Sequence, residues 1–282
     1  MSRQGYLPAR IFGYAFALFA FFREESSPAW ARYLRPDAAN PMQAGLRYLQ
    51  NNGQTLFHPE NAGEKRVPPD AVQAVELLRA REAGIRLATL WDIAEHQLAA
   101  TDVVNAVQEC LVDRDGDVQA EAAIALGHLG KQAESALPRL VDALWRGEFN
   151  TRLSAARALG DIGSRPELVV PELTAFLRQA TRSEAIQHAA GALAAFGPQA
   201  SEAIPHLLDK LTPALAVCDH MQCWLLLHTL HCADPAYRST VRQHLESEHE
   251  LWLLARGILT EVESGQPPPT MEDTMSGETL LG

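Results

Sequence analysis

Positive charge is scarce in this chain. Of its residues 24 are basic and 35 acidic, a formal net charge of -11. Only Lys65, Lys131 and Lys210 are lysine, and every other base is arginine. A protein whose main task is to grip nucleic-acid phosphates needs a clustered positive surface, so that class is disfavoured. Aromatic residues make up 7%, so small side chains must supply much of the packing, which favours stacked helices over a β-sandwich. Cysteine is limited to Cys110, Cys218, Cys223 and Cys232, three of them within one short stretch. This is not the spread of a disulfide framework, and a reducing, cytoplasmic setting is expected. No window reaches eighteen uninterrupted apolar residues, so no ordinary membrane-spanning helix is expected.

The longest apolar run, IFGYAFALFAFF from Ile11 to Phe22, would cover only about 18 Å as a helix against about 30 Å of hydrocarbon. It is apolar nearly all round and is expected to pack as an N-terminal helix into the first repeat pair. A signal peptide is the rival reading, with Arg3 and Arg10 as the basic start and Ala29-Trp30-Ala31 as a cleavage-like site. Arg23, Glu24 and Glu25 directly after the run oppose it. A dimer or membrane-surface contact is the third reading.

What the chain has in abundance is alanine in register. Comparing the sequence with itself at a lag of 33 or 34 residues aligns VQAEAAIALGHLG (Val118 to Gly130), TRLSAARALGDIG (Thr151 to Gly163) and AIQHAAGALAAFG (Ala185 to Gly197). A second helix set carries Pro138, Pro171 and Pro205 at the same spacing. Proline suits a first helical turn, where its missing N–H has no partner to lose, and the terminal glycines suit left-handed caps. Ala122, Ala123, Ala155, Ala156, Ala189 and Ala190 permit close helix approach, while Leu126, Leu129, Leu159, Ile162, Leu193 and Phe196 fill the gaps. One such pair cannot bury both faces, so the pairs must stack.

These segments resemble the HEAT repeat superfamily, in particular the short bacterial type called PBS-lyase HEAT-like repeats. The resemblance implies an all-α fold, a right-handed α-solenoid of stacked antiparallel helix pairs of the HEAT or armadillo type. It is specific from about Val103 to Leu211. Asp70 to Ala80 with Gly84 to His96 fit as a degenerate pair, and Gln222 to Cys232, Ala236 to Leu245 and Glu248 to Val262 continue as helices. The expected organisation is an N-terminal helical segment over 1–66, an array over 67–263 and a disordered acidic tail over 264–282. The first segment carries +3, leaving -14 for the rest.

In such repeats the second helices line the concave wall, and the resemblance makes their outward residues the partner-binding surface. That stripe is Glu121, Ile124 and His128, then Ser154, Arg157 and Asp161, then His188, Gly191 and Ala195, with Trp91 and Glu95 in the preceding pair. It suits a plain solvated face as well as a functional one. Trp91 is expected in the core, because large aromatics bury strongly; exposed on this wall it would be an interface anchor.

Enzymatic readings find less support. Deoxyhypusine hydroxylases place His-Glu pairs on successive repeats, but the nearest positions here are Ala120-Glu121, Leu153-Ser154 and Gln187-His188, and the single His249-Glu250 lies near the end. HEAT-like DNA glycosylases need a basic channel, which the acidic array lacks. A phycobilin-lyase-like role shares only the generic repeat. The segment CDHMQCWLLLHTLHCAD, Cys218 to Asp234, sets His228, His231 and Cys232 at i, i+3 and i+4, yet lacks paired C-x-x-C loops; buried thiols beside surface histidines is the expected arrangement. No nucleophile elbow, phosphate loop or dinucleotide fingerprint occurs. The expectation is a non-enzymatic scaffold or adaptor for a protein or peptide partner, without cofactor, metal, nucleic acid or spanning segment. The alternatives are a groove enzyme or small-ligand protein, and a membrane-surface or oligomeric assembly protein.

Overall fold

The computed structural model describes residues 69–264, and every regular element among them is helical. Helices α1 (Ala71–Leu78) and α2 (Ala83–His96) form the first pair, and α3 (Thr101–Cys110) with α4 (Gly116–Leu129) the second. The third pair is α5 (Leu137–Arg146) and α6 (Phe149–Ile162), and the fourth is α7 (Pro166–Gln179) and α8 (Ser183–Ala194). The fifth pair is α9 (Ile204–Ala216) and α10 (His220–Ala233), followed by α11 (Tyr237–His244) and α12 (His249–Ser264). The readings placed on Ile11 to Phe22, on the Ala29 to Ala31 site and on the acidic tail lie outside the described residues.

Local chemistry explains where these helices start and stop. Asp70 accepts from the Gln73 N–H at 2.8 Å while Gln73 reaches back to the Asp70 N–H, a reciprocal cap for α1. Asp115 caps α4 and Asp219 caps α10 one-sidedly, each accepting first-turn N–H groups. The terminal glycines Gly130, Gly163 and Gly197 all have positive φ, and Gly163 closes α6 in the left-handed conformation with its N–H on the Leu159 carbonyl.

Pro138 and Pro205 sit in the first turns of α5 and α9, each after a 3-10 turn, Gly130–Ala136 and Gly197–Ala203. Pro171 does not: it lies inside α7, which already starts at Pro166 behind a left-handed Arg165. The segment that makes a 3-10 turn in the other two repeats has here become a turn of α-helix. The proline spacing is nearly the same, and the difference lies just upstream, where a left-handed Arg165 sets Pro166 at the start of an α-helix.

The second helices α2, α4, α6, α8 and α10 pack closely in series, whereas the first helices from α3 onward meet sparsely. The reason is side-chain size. A Cβ placed on Gly127 would lie 3.0 Å from the Ala158 Cα, and one on Gly160 would lie 2.6 Å from the Ala192 Cα. Backbone therefore touches backbone along this row. Between α5 and α7, by contrast, Trp145 stands edge-on to Phe176 at 6.1 Å and its indole N–H donates to Glu172 at 2.6 Å. The second helices are therefore more closely spaced than the first. The alanine and leucine positions expected in the core are buried throughout.

Polar ties join the two helices of a pair, and one of them also reaches the next repeat. Buried Arg86 donates to the carbonyls of Ala80 and Arg81 and to Asp113 at 2.8 Å. One repeat on, Gln119 donates to the Asp113 carbonyl, and one further, Arg152 donates to the Leu144 carbonyl. A residue in the first turn of each of these second helices thus satisfies carbonyls left at the end of the preceding first helix.

Replacing Gly160 by alanine should lower stability by about 1–3 kcal/mol, because the new methyl meets main chain that cannot yield. Gly191→Ala on α8 meets nothing within 4 Å and should raise stability by about 0.5–1 kcal/mol. Urea denaturation of both variants of the full chain checks the pair; equal effects of one sign would contradict the packing described.

Candidate functional site

The outward positions of α2, α4, α6 and α8 form one face of the stack. Glu95, His128, Asp161, Gly191 and Ala195 are exposed, and Glu121, Ile124, Ser154, Arg157 and His188 are half-buried. Trp91 departs from expectation. It is 53% exposed, not core, because its turn of α2 points away from α1 while Leu90 and Ile93 take the buried positions on either side. Helical periodicity places positions 90 and 93 inward and leaves 91 on the open side. The preference of tryptophan for burial yields to that register.

The structure joins these residues in pairs rather than in one cluster. On the next second helix burial pushes the Glu121 carboxyl up to about 7, against a smaller lowering from Trp91. Arg157 and Asp161 close on each other within α6 at 3.4 Å. His188 donates from Nδ1 to the Glu184 carbonyl at 2.8 Å, and burial, with Arg157 nearby, holds it below its ordinary value, so the ring is neutral at pH 7. Trp91 and His188 lie at opposite ends of the stripe, separated by α4 and α6. The raised Glu121 carboxyl was not legible in the sequence, since nothing in one lag of the repeat shows which side chains are sheltered between neighbouring helices.

Among the described residues, one group brings three metal-ligating types together. Side-chain donor atoms of Asp92, Glu95 and His96 lie within 4.8 Å of one another. All three come from successive turns of one helix, and His96 already uses Nδ1 on the Asp92 carbonyl at 3.0 Å. A closed structural site needs four converging ligands, and this set supplies one side of such a shell.

The cysteine and histidine segment disperses. Cys223 is buried, and its thiol is pushed up to about 12 by burial and by Asp219. His228 stacks on Trp224 at 4.9 Å and lies 3.9 Å from the Cys232 sulfur, while His231 turns edge-on to Tyr237. The shared face expected for His228, His231 and Cys232 therefore holds for the first and last only. Exposed Cys218 precedes α10 and borders a shallow apolar cavity of about 250 Å³ with Leu215, His220, Leu253, Leu254 and Ile258. His220 faces Glu261 there at 3.2 Å.

Residues 72–151 match a family model described as HEAT repeats. The fold is a HEAT-repeat solenoid. The match begins in the pair α1–α2, so the repeat signature extends upstream of the stretch where it is strongest by eye. The structure of the complex of CpcE and CpcF of phycocyanin lyase from Nostoc sp. PCC7120 is similar over 73% of this chain and 80% of that one, with 23% identity and a TM-score of 0.50. Two engineered proteins are 22% and 24% identical with TM-scores of 0.47 and 0.48, covering 68% and 70% of this chain and 96% and 100% of theirs. No curated protein matches the chain significantly. The likeness to the lyase complex is one of fold. No helix among the described residues is long and apolar enough to cross a membrane.

Glu121 makes the HEAT array pH-dependent with a definite sign. The folded chain holds this proton more tightly than the unfolded chain, whose carboxyl has its ordinary value of 4.5. Its contribution is full below about pH 4.5 and is lost as pH rises toward about 7. Glu121→Gln should remove about 2–3 kcal/mol of that decline, so the variant gains on the wild type between pH 5 and pH 8 in urea denaturation. Parallel pH profiles would show that Glu121 is not a buried acid.

Proposed function

We propose that this HEAT array is a non-enzymatic scaffold that binds a protein or peptide segment along the face of α2, α4, α6 and α8. The observation that carries the reading is Trp91, a large aromatic held 53% exposed on the inner side of the stack. Exposed tryptophan of this kind is characteristic of interface anchors. The stripe beside it offers half-buried Ile124 and polar groups of both charge signs at intervals set by the helix spacing. Successive helices stand about 8–10 Å apart and an extended chain advances about 3.3 Å per residue. A bound extended segment therefore meets a new second helix at every third residue. That match of periods suits a peptide better than a compact ligand.

A second reading, a small molecule held in the same groove, has one observation in its favour. A carboxyl that titrates near 7 in a concave site is placed for proton transfer, and a structure of similar fold is of a phycocyanin lyase. Native mass spectrometry of the purified chain separates the readings, since a bound small molecule adds a discrete mass.

The scaffold reading is tested by photo-crosslinking in the native cell. A crosslinking amino acid at Ser154, on the groove, should capture a partner protein, and one at exposed Asp142, on the α5 side, should not. Capture from Asp142 alone would place the interface elsewhere and contradict the proposal.

A further inference from the structure

We infer that His228 and Cys232, one turn apart on α10, form a binding site for a soft monovalent metal ion, copper(I) foremost. The Cys232 sulfur lies 3.9 Å from His228 Nε2, and among the described residues neither side chain has another hydrogen-bond partner. With bonds of about 2.3 Å to sulfur and about 2.0 Å to nitrogen, an ion bridging two atoms at that separation subtends about 130°. A tetrahedral shell would draw the pair in to about 3.5 Å. Among the described residues no third histidine, cysteine or carboxylate donor joins them. The pair therefore suits an ion content with few ligands, which is the habit of copper(I) and not of zinc.

Local packing holds the two ligands in place. Trp224 stacks on the His228 ring with centroids 4.9 Å apart and planes 8° from parallel, which fixes the plane of the imidazole while Nε2 faces Cys232. Helix α10 follows α8 with buried Leu227 and Leu230 in the places of Ala190 and Leu193, and the Thr229 hydroxyl donates to the Ala190 carbonyl at 2.9 Å. That register puts His228 and Cys232 where α8 carries Gly191 and Ala195. Both of those are exposed, and a Cβ on Gly191 would meet nothing within 4 Å. The preceding repeat thus leaves a path open to the pair, and both ligands are half-buried rather than sealed.

Charge selects the ion. Binding exchanges the thiol proton for the metal: the S–H bond breaks, the sulfur–metal bond forms and one proton passes to solvent. A monovalent ion held by one thiolate and one neutral imidazole leaves the site uncharged, as it was before. A divalent ion would leave one positive charge, which half-buried surroundings penalise. Soft sulfur favours copper(I) at the same place. The inference stands apart from the scaffold reading, since it rests on α10 and its register with α8.

The test uses the full chain with Cys218→Ser, which removes the exposed thiol, loaded anaerobically with copper(I) in competition with a copper(I) chelator. This chain should hold one ion. Adding Cys232→Ser or His228→Ala should weaken binding at least about tenfold, the loss that removing a mere supporting residue already causes. X-ray absorption of the copper-loaded Cys218→Ser chain should show one sulfur and one nitrogen from the protein, a readout that needs no further substitution. An about tenfold excess of zinc should not displace the copper(I). Coordination by sulfur alone, or an affinity unchanged by His228→Ala, would reveal a lone thiol and overturn the site. Displacement by zinc would overturn the choice of ion and the geometry argued for it.

Discussion

Direct backbone contact between successive second helices, Gly127 against Ala158 and Gly160 against Ala192, sets the spacing on which the rest of the array depends. With no side chain between them, α4, α6 and α8 draw together on one side of the stack. The opposite side is held apart by Trp145, Phe176 and Glu172. We propose that this inequality curves the array with the second helices inward. Alanine abundance and aromatic scarcity are two sides of the same constraint, since a seam of this closeness has no room for larger residues.

Close approach also creates the chemistry of the inner face. Between neighbouring second helices the Glu121 carboxyl is sheltered enough to be pushed up to about 7. The groove is thus a polar surface with one desolvated acid beside one exposed aromatic. Of the other charged groups there, Arg157 and Asp161 neutralise each other within a single helix, while Glu95 stands exposed. A pair of that kind supports its helix by a few tenths of a kcal/mol and has little left for a ligand.

Much of this was legible in the sequence for a clear physical reason. A repeat lag of 33 or 34 residues fixes which positions are equivalent, and equivalence fixes which of them share a face. The alanines at 122, 123, 155, 156, 189 and 190 had to be buried because every copy is small. What the lag cannot show is how a position resolves when its copies differ. Position 91 aligns with Ile124, Arg157 and Gly191, which share only an outward direction, and intrinsic burial preference misplaced the tryptophan. Pro171 misled in the opposite way: its spacing matches Pro138 and Pro205, but Pro166 upstream starts the helix a turn earlier. Contacts between repeats, such as Arg86 on Asp113 or Trp145 on Glu172, leave no periodic trace because each occurs once.

The spacing of the inner row is measured most directly by electron–electron resonance between two spin labels, introduced as unnatural amino acids at Glu95 and Ala195 so that the native cysteines stay untouched. The wild-type chain should give one narrow distance distribution, and Gly160→Ala should lengthen or broaden it, because the added methyl separates α6 from α8. A distribution unchanged by that substitution would contradict the claim that glycine-to-alanine contact sets the curvature of the array.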